Sequence, residues 1–360
     1  MGAGPAGVAA SIVLKQAGYS VMLVDQVKTE RLKVGESVPG AATRLLHRLG
    51  LKGIDALLTK TEYVPSTANA SAWGSDHWTF QDAMVNPQGG GWHVLRHYFD
   101  EKLRQHALSM GVEYHAGQVS RYDRAEDYYQ VQLKAAPESL KARWLLDATG
   151  RKGLLVRKLG GERQRFSEQY AVIVWTRTHA DDLDQTTRVK SVPEGWWYTS
   201  KLPGGLRVSA LQCLPELAAR LAQEPEAFFA AWDASGIKNF PLRPEDMVQP
   251  LSVCDASVQK SQQAYGENWL AVGDAVMSFD PLSSQGIFFA LYSGVRGGEA
   301  VAACLQQPMN ASALLSQYQQ RVEQVFQANM RSRSQFYHAE LRYKQEAYWK
   351  QQVSMLRAKW

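Results

Sequence analysis

The chain opens on a glycine-rich turn. Gly2-Ala3-Gly4-Pro5-Ala6-Gly7 has the spacing G-x-G-x-x-G and runs directly into the small, apolar stretch Val8 to Leu14. The run Val21-Met22-Leu23-Val24 follows and ends in Asp25, 18 residues after Gly7. Turn, helix, strand and terminal acid in that order encode the first half of a parallel βαβ unit. Each part has a chemical task. The glycines permit a tight turn and close approach of the backbone to a pyrophosphate. The helix N-terminus offers unpaired N–H donors, and an acid at the strand end can hold both hydroxyls of a ribose. A dinucleotide at Gly2, Gly4, Ala6 and Gly7, with its ribose at Asp25 and Gln26, is the expectation. The fingerprint should also follow a buried strand of about five residues, yet only Met1 precedes Gly2. Further strand-forming residues ahead of Met1 are expected on that ground.

Two later segments narrow the dinucleotide. Asn268 to Ala275 is an apolar strand pattern ending in Gly273-Asp274, and Asp280-Pro281-Leu282-Ser283-Ser284-Gln285-Gly286-Ile287 leads into the apolar helix pattern Phe288 to Val301. An Asp at a strand end can bond a ribityl hydroxyl, and a helix N-terminus can direct its dipole at the flavin edge where charge collects on reduction. Lys33 to Gly40 is another loop leading toward a helix.

These motifs, with Gly35-Glu36-Ser37 and Asp147-Ala148-Thr149-Gly150, resemble the FAD-dependent monooxygenases. Within them the chain resembles the branch containing the flavin-dependent tryptophan halogenases. The likeness is nearest to the LodB/GoxB-like flavoproteins, which help make the cysteine tryptophylquinone cofactor of amino-acid oxidases. Ser71 to Asp76, Gly91 to Arg96 with Phe99-Asp100, Gly195-Trp196-Trp197-Tyr198 and the aromatic, charged C-terminal segment carry this narrower match. The resemblance implies FAD, with Glu36 and Ser37 beside its ribityl and phosphate region and Arg96 on a phosphate. It implies Val119 at adenine, Gly273 and Asp274 on ribityl and phosphate oxygens, and Pro281, Ser284, Gly286 and Ile287 along the isoalloxazine. Arg96 as a surface helix charge is the alternative. The implied fold is α/β. Its Rossmann-like, three-layer FAD-binding body is assembled from 1–62, 96–165 and 255–315. An inserted antiparallel-sheet substrate domain comes from 63–95 and 166–254, and a C-terminal amphipathic helical segment spans 316–360.

The resemblance also implies a reaction: hydroxylation of an electron-rich ring through a flavin C4a-hydroperoxide, on a Trp side chain of a precursor protein of the amino-acid oxidase type. Departures from the halogenase pattern favour this. The W-x-W-x-I-P stretch of that group is replaced by Trp196-Trp197-Tyr198-Thr199-Ser200-Lys201-Leu202-Pro203, and its catalytic lysine has only Lys60 as a weak counterpart. Halogenation or hydroxylation of a small indole or phenol is the second reading, and a non-catalytic flavin-binding maturation partner the third. No second nucleotide fingerprint is present, so an external reductant or flavin reductase is expected to supply electrons. Trp73, Trp196 and Trp197 are candidates for the substrate pocket or, equally, for the core. Trp196 and Trp197 should point to opposite faces of one strand. His93 and His97 are acid–base candidates, with a structural histidine the alternative for each.

Charge distribution excludes other classes. The 40 Lys and Arg exceed the 35 Asp and Glu by five, and residues 321–360 alone carry eight basic and three acidic side chains. The remaining 320 residues are neutral, which argues against a nucleic-acid binder. The three cysteines, Cys213, Cys254 and Cys304, have neither disulfide-framework nor zinc spacing. With no metal, no membrane span and no secretory leader in the pattern, the expectation is a cytoplasmic enzyme. The basic tail reads as an amphipathic helix or helix pair, packed on the body or serving as a docking surface for an acidic protein.

Overall fold

A computed structural model describes residues 1–26, 32–134, 139–160, 162–179, 182–237 and 240–357. The N-terminal turn leads into the helix Pro5–Gln16, which has proline in its first turn and is buried along most of its length. Its small residues allow a close crossing with the helix Gly286–Gln306. A Cβ added at Gly294 would lie 2.3 Å from the Ala6 carbonyl oxygen, and one at Gly298 2.9 Å from that of Ala10. Only glycine admits this approach, which sets the start of the first helix against the second helix at Gly294.

The strand Met22–Asp25 pairs in parallel with Glu113–Ala116, and Leu145–Asp147 pairs in parallel with Trp269–Ala271. Met1 and Gly2 lie between the two pairs. The Gly2 amide donates to Val24 O at 2.7 Å, the Met1 ammonium to Leu146 O at 2.8 Å, and the Ala148 amide to Met1 O at 2.8 Å. These three bonds join the halves. Asp147, fully buried, is structural: its carboxylate accepts from the amides of Thr149, Leu155 and Val156 and so anchors the start of the helix Leu154–Leu159.

A seven-stranded sheet forms the second layer, in the order Ser252–Asp255, Tyr170–Arg177, Leu206–Cys213, Gly195–Leu202, Thr187–Val192, Ala68–Ala72, Thr79–Asp82. It is antiparallel except where Thr187–Val192 meets Ala68–Ala72. The stretch 63–95 is shared between two sheets, because Tyr63–Ser66 pairs instead with Gly91–Val94, whose other edge pairs with Ser37–Val38. One face of the large sheet is covered by the helices Pro215–Gln223 and Pro225–Ala234, whose Phe228 and Trp232 meet Trp197 at ring-centroid distances of 5.1 and 5.2 Å.

The tail forms two helices, Ala311–Ala339 and Ala347–Arg357. Their Val322, Phe326, Met330, Tyr337, Tyr348 and Trp349 are buried in the main core. Two of its basic residues are turned inward as well. Arg333 is only 3% exposed and bonds Asp280, while Arg342 bridges Glu340 and Asp76. The apolar stripe of the segment is thus packed on the body, as one of its expectations has it. No described helix is long and apolar enough to cross a membrane.

Candidate active site

A cavity of about 490 Å³ opens where the two crossed helices meet the large sheet. The first helix contributes Gly4, Pro5 and Ala6, and the second contributes Gly286, Ile287 and Ala290. Neither N-terminus has a side-chain cap. Both therefore offer backbone donors and a positive dipole end to an anion in the cavity.

The three fingerprint glycines are required for different reasons. Gly2 has φ +93°, and an added Cβ would stand 2.2 Å from Ala148 O. At Gly7 the same atom would meet Gly2 O at 2.0 Å. Gly4 has extended backbone, and a Cβ there would touch nothing within 4 Å. Gly2 and Gly7 thus serve the turn and its packing, while the bare edge at Gly4 faces open cavity. Asp25 lies beside it, its carboxylate accepting from the amides of Ala3 at 3.1 Å and Gln26 at 2.8 Å.

The structure brings together Gly2, Gly4, Ala6, Asp25, Gln26, Glu36, Ser37, Arg96, Val119, Asp274, Pro281, Ser284, Gly286 and Ile287 on the cavity wall. Gly7 and Gly273 are absent from it. Gly273, at φ +61°, donates its amide to Ser293 Oγ at 2.7 Å and stands where a Cβ would press on Ala6. Arg96 is oriented rather than free. It makes a forked contact with Asp100 at 3.1 and 3.3 Å and bonds the carbonyls of Val34 and Gly35. Burial works against the Asp100 carboxylate, but Arg96 and Lys33 hold it below the ordinary carboxyl range.

Six catalytic or substrate-pocket candidates fall elsewhere. Trp197 faces away from the cavity, under Phe228 and Trp232. Trp196 does point to the cavity's side of the sheet, as strand alternation requires, but it is sealed beneath the tail. Its indole N–H lies 3.2 Å from Tyr337 Oη and 3.0 Å from Tyr348 Oη. Trp73 packs on Trp196, Tyr337 and Trp349. None of the three tryptophans lines the cavity. Lys60 is exposed on a surface turn. His93 is 1% exposed, bonded through Nε2 to Thr187 Oγ1 at 2.8 Å. Burial, reinforced by the charge of Arg207, lowers its pKa to about 4. A sixth, His97, stacks on Tyr98 at 4.1 Å and is likewise not on the wall.

Sequence reasoning missed the polar residues that do face inward from the sheet. Tyr198 and Gln212 lie on the wall among Ala171, Ile173, Val208 and Ala210. Tyr198 Oη is 2.9 Å from Ser200 Oγ and 3.3 Å from Ser37 Oγ. Burial, then the charge and hydrogen bond of Glu36, push its phenol well above the ordinary value. It is a neutral hydroxyl at any working pH. Cys254 also reaches the wall, and burial raises its thiol, which disfavours the thiolate.

A family model described as tryptophan halogenase matches residues 67–358. The chain belongs to the tryptophan halogenase family. Relatives in and around this family span nearly its whole length. The chain is 25% identical over 359 residues to the putative FAD-dependent oxidoreductase LodB of Marinomonas mediterranea, covering 97% of this chain and 94% of LodB. It is 26% identical over 316 residues to a pyrrole-2-carbonyl peptidyl-carrier-protein brominase of Pseudoalteromonas luteoviolacea, covering 84% and 76%. Among solved structures, the flavin-dependent halogenase CmlS superposes with a TM-score of 0.85 at 23% identity, over 99% of this chain and 68% of CmlS. QhpG, a peptidyl tryptophan dihydroxylase essential for tryptophylquinone cofactor biogenesis, does so with 0.77 at 25% identity, over 98% and 77%. The protein is a flavin-dependent oxidoreductase of Rossmann-like α/β fold, and its cofactor is FAD. The uncapped helix ends, the open edge at Gly4 and the Asp25 carboxylate fit that group.

Proposed function

We propose that this member of the family is an FAD-dependent monooxygenase that inserts oxygen into the indole ring of a Trp side chain on a precursor protein, during formation of a tryptophylquinone. The sheet wall of the cavity carries the reading. Tyr198 and Gln212 stand there amid Ala171, Ile173, Val208 and Ala210, the edge strand adds Cys254 and an Asp255 already bound to Arg165 and Gln259, and no lysine of the sheet lines the cavity among the described residues. Lys60, whose Thr59-Lys60-Thr61 context matches the halogenase lysine only weakly, is exposed on a turn. Lys33 is bound to Asp100, and Lys152 is exposed on the short turn Gly150–Lys152. The near full-length relation to LodB and the likeness to QhpG support the same direction.

When bound and reduced, FAD supplies activation of dioxygen. The chain's own residues do the rest. Gly2, Gly4 and the helix end at Pro5 receive the pyrophosphate, Asp25 the ribose, and Asp274 and the 281–287 loop the flavin end. The aliphatic sheet wall keeps water from the reacting region, and Tyr198 retains its proton there. An external reductant or reductase partner supplies electrons. Rapid bleaching of bound FAD by stoichiometric NAD(P)H in stopped flow would overturn that part.

The test is co-expression with a Trp-bearing precursor under ¹⁸O₂, read by peptide mass. Two labelled oxygens on one Trp are expected. Bromine or chlorine in the product when halide is supplied would instead establish the second reading, a halogenase, which family membership favours.

A further inference from the structure

Gln212 stands out among the residues of the cavity wall. It is 3% exposed, and its Oε1 has no hydrogen-bond partner. Among the described residues no other side chain on the wall holds a buried polar atom in that condition. A buried acceptor without a donor is unfavourable, and native structures keep such groups where a ligand or water completes them. Its surroundings define the missing donor. The strand Leu206–Cys213 is paired on both edges, with Gln212 opposite Trp196 on one side and Ala171 on the other. Backbone donors there are committed to the sheet. Ala171, Ile173 and Ala210 surround it with small, apolar surface on the same wall. The complement to one acceptor in an apolar, sheet-backed slot is a flat apolar ring carrying one N–H.

We infer that Gln212 is the specificity residue for the substrate, accepting the indole N–H through Oε1 and so orienting the ring within the cavity. This rests on the reading that the substrate is a Trp side chain. It also accounts for an unpartnered glutamine oxygen on a wall where the neighbouring Asp255 is already bonded to Arg165 and Gln259. The flavin carries a ring N–H of its own, and the experiment separates the two donors.

The probes are N-acetyl-tryptophanamide and its 1-methylindole counterpart, titrated into the FAD-loaded protein without reductant and followed by the flavin difference spectrum. The native protein is expected to bind the N–H ring roughly tenfold more tightly than the methylated one, as loss of a hydrogen bond to a buried acceptor requires. Gln212→Leu should abolish that preference while leaving FAD affinity and the flavin spectrum unchanged. Equal binding of both probes by the native protein, or no binding of either, overturns the inference and needs no variant. Retained preference in Gln212→Leu with FAD affinity reduced tenfold or more also overturns it, assigning Gln212 to the cofactor. Turnover is not read. A protein that prefers the N–H ring but brominates it keeps this inference and loses the proposed hydroxylation.

Discussion

Arg333 and Asp280, 53 residues apart, form an ion pair of 2.8 Å in which each side chain is 2% exposed. Asp280 Oδ2 also accepts from Tyr337 Oη at 2.9 Å, while Oδ1 accepts from the Leu282 amide at 3.1 Å. The helix Ala311–Ala339 is thereby tied to the loop that the resemblance assigns to the flavin. Removing one partner of a buried pair leaves the other charge uncompensated, at about 3–5 kcal/mol. Arg333→Met should therefore lower Tm strongly and weaken FAD binding, whereas adding Asp280→Asn should recover part of the stability. Urea unfolding of both variants checks this, and an Arg333→Met protein of parental stability would refute it.

The fingerprint glycines should separate folding from cofactor binding. Gly4→Val places its side chain in open cavity on extended backbone, so the apoprotein should melt as the parent does while losing FAD. Gly7→Val collides with Gly2 O and should fold poorly with or without flavin. Asp25→Ala should also shed FAD. Visible absorbance of the purified proteins and apoprotein melting curves provide the readout.

His93 should make the protein acid-sensitive. Its folded pKa of about 4 lies below the ordinary 6.5, so the unfolded chain binds the proton first. The stability conferred by the buried neutral ring is complete above pH 6.5 and is lost progressively as pH falls toward 4. The loss amounts to up to about 3 kcal/mol. His93→Gln should flatten this part of the curve, as measured by denaturation at stepped pH.

Adjacent positions on one strand should behave oppositely. Trp197→Ala empties a site between Phe228 and Trp232, which costs about 3–5 kcal/mol for a buried aromatic, with the flavin spectrum unchanged. Tyr198→Phe loses only hydrogen bonds, about 1 kcal/mol, and should shift that spectrum. Melting and absorbance of the two holoproteins distinguish these outcomes.

Motif-based positions were legible because each depends on local backbone chemistry. Gly4, Asp25 and Asp274 reach the cavity as their spacing implies, since a turn or a strand end dictates where such residues stand, and Glu36 reaches it as the resemblance implies. Gly7 and Gly273 belong to the same motifs but serve packing, a distinction that depends on Gly2 O and Ala6 lying against them. The aromatic candidates failed for another reason. Strand alternation correctly separates Trp196 from Trp197, but it cannot say what covers each face. Tyr337 and Tyr348, some 140–150 residues along the chain, decide that.

The five-charge excess shows the same division. The amino-acid order by itself determined the dinucleotide turn, the start of a βαβ unit and an amphipathic basic tail, because periodicity and glycine spacing are local properties, and its motifs carried the resemblance to the family. Only the tertiary structure decided that Arg333 is buried against Asp280, that Arg342 serves Glu340 and Asp76, and that Tyr198 and Gln212 replace the tryptophans at the cavity. A charge is worth little to the fold on the surface and a great deal inside it. Which of these applies is set by contacts between segments that no sequence window spans.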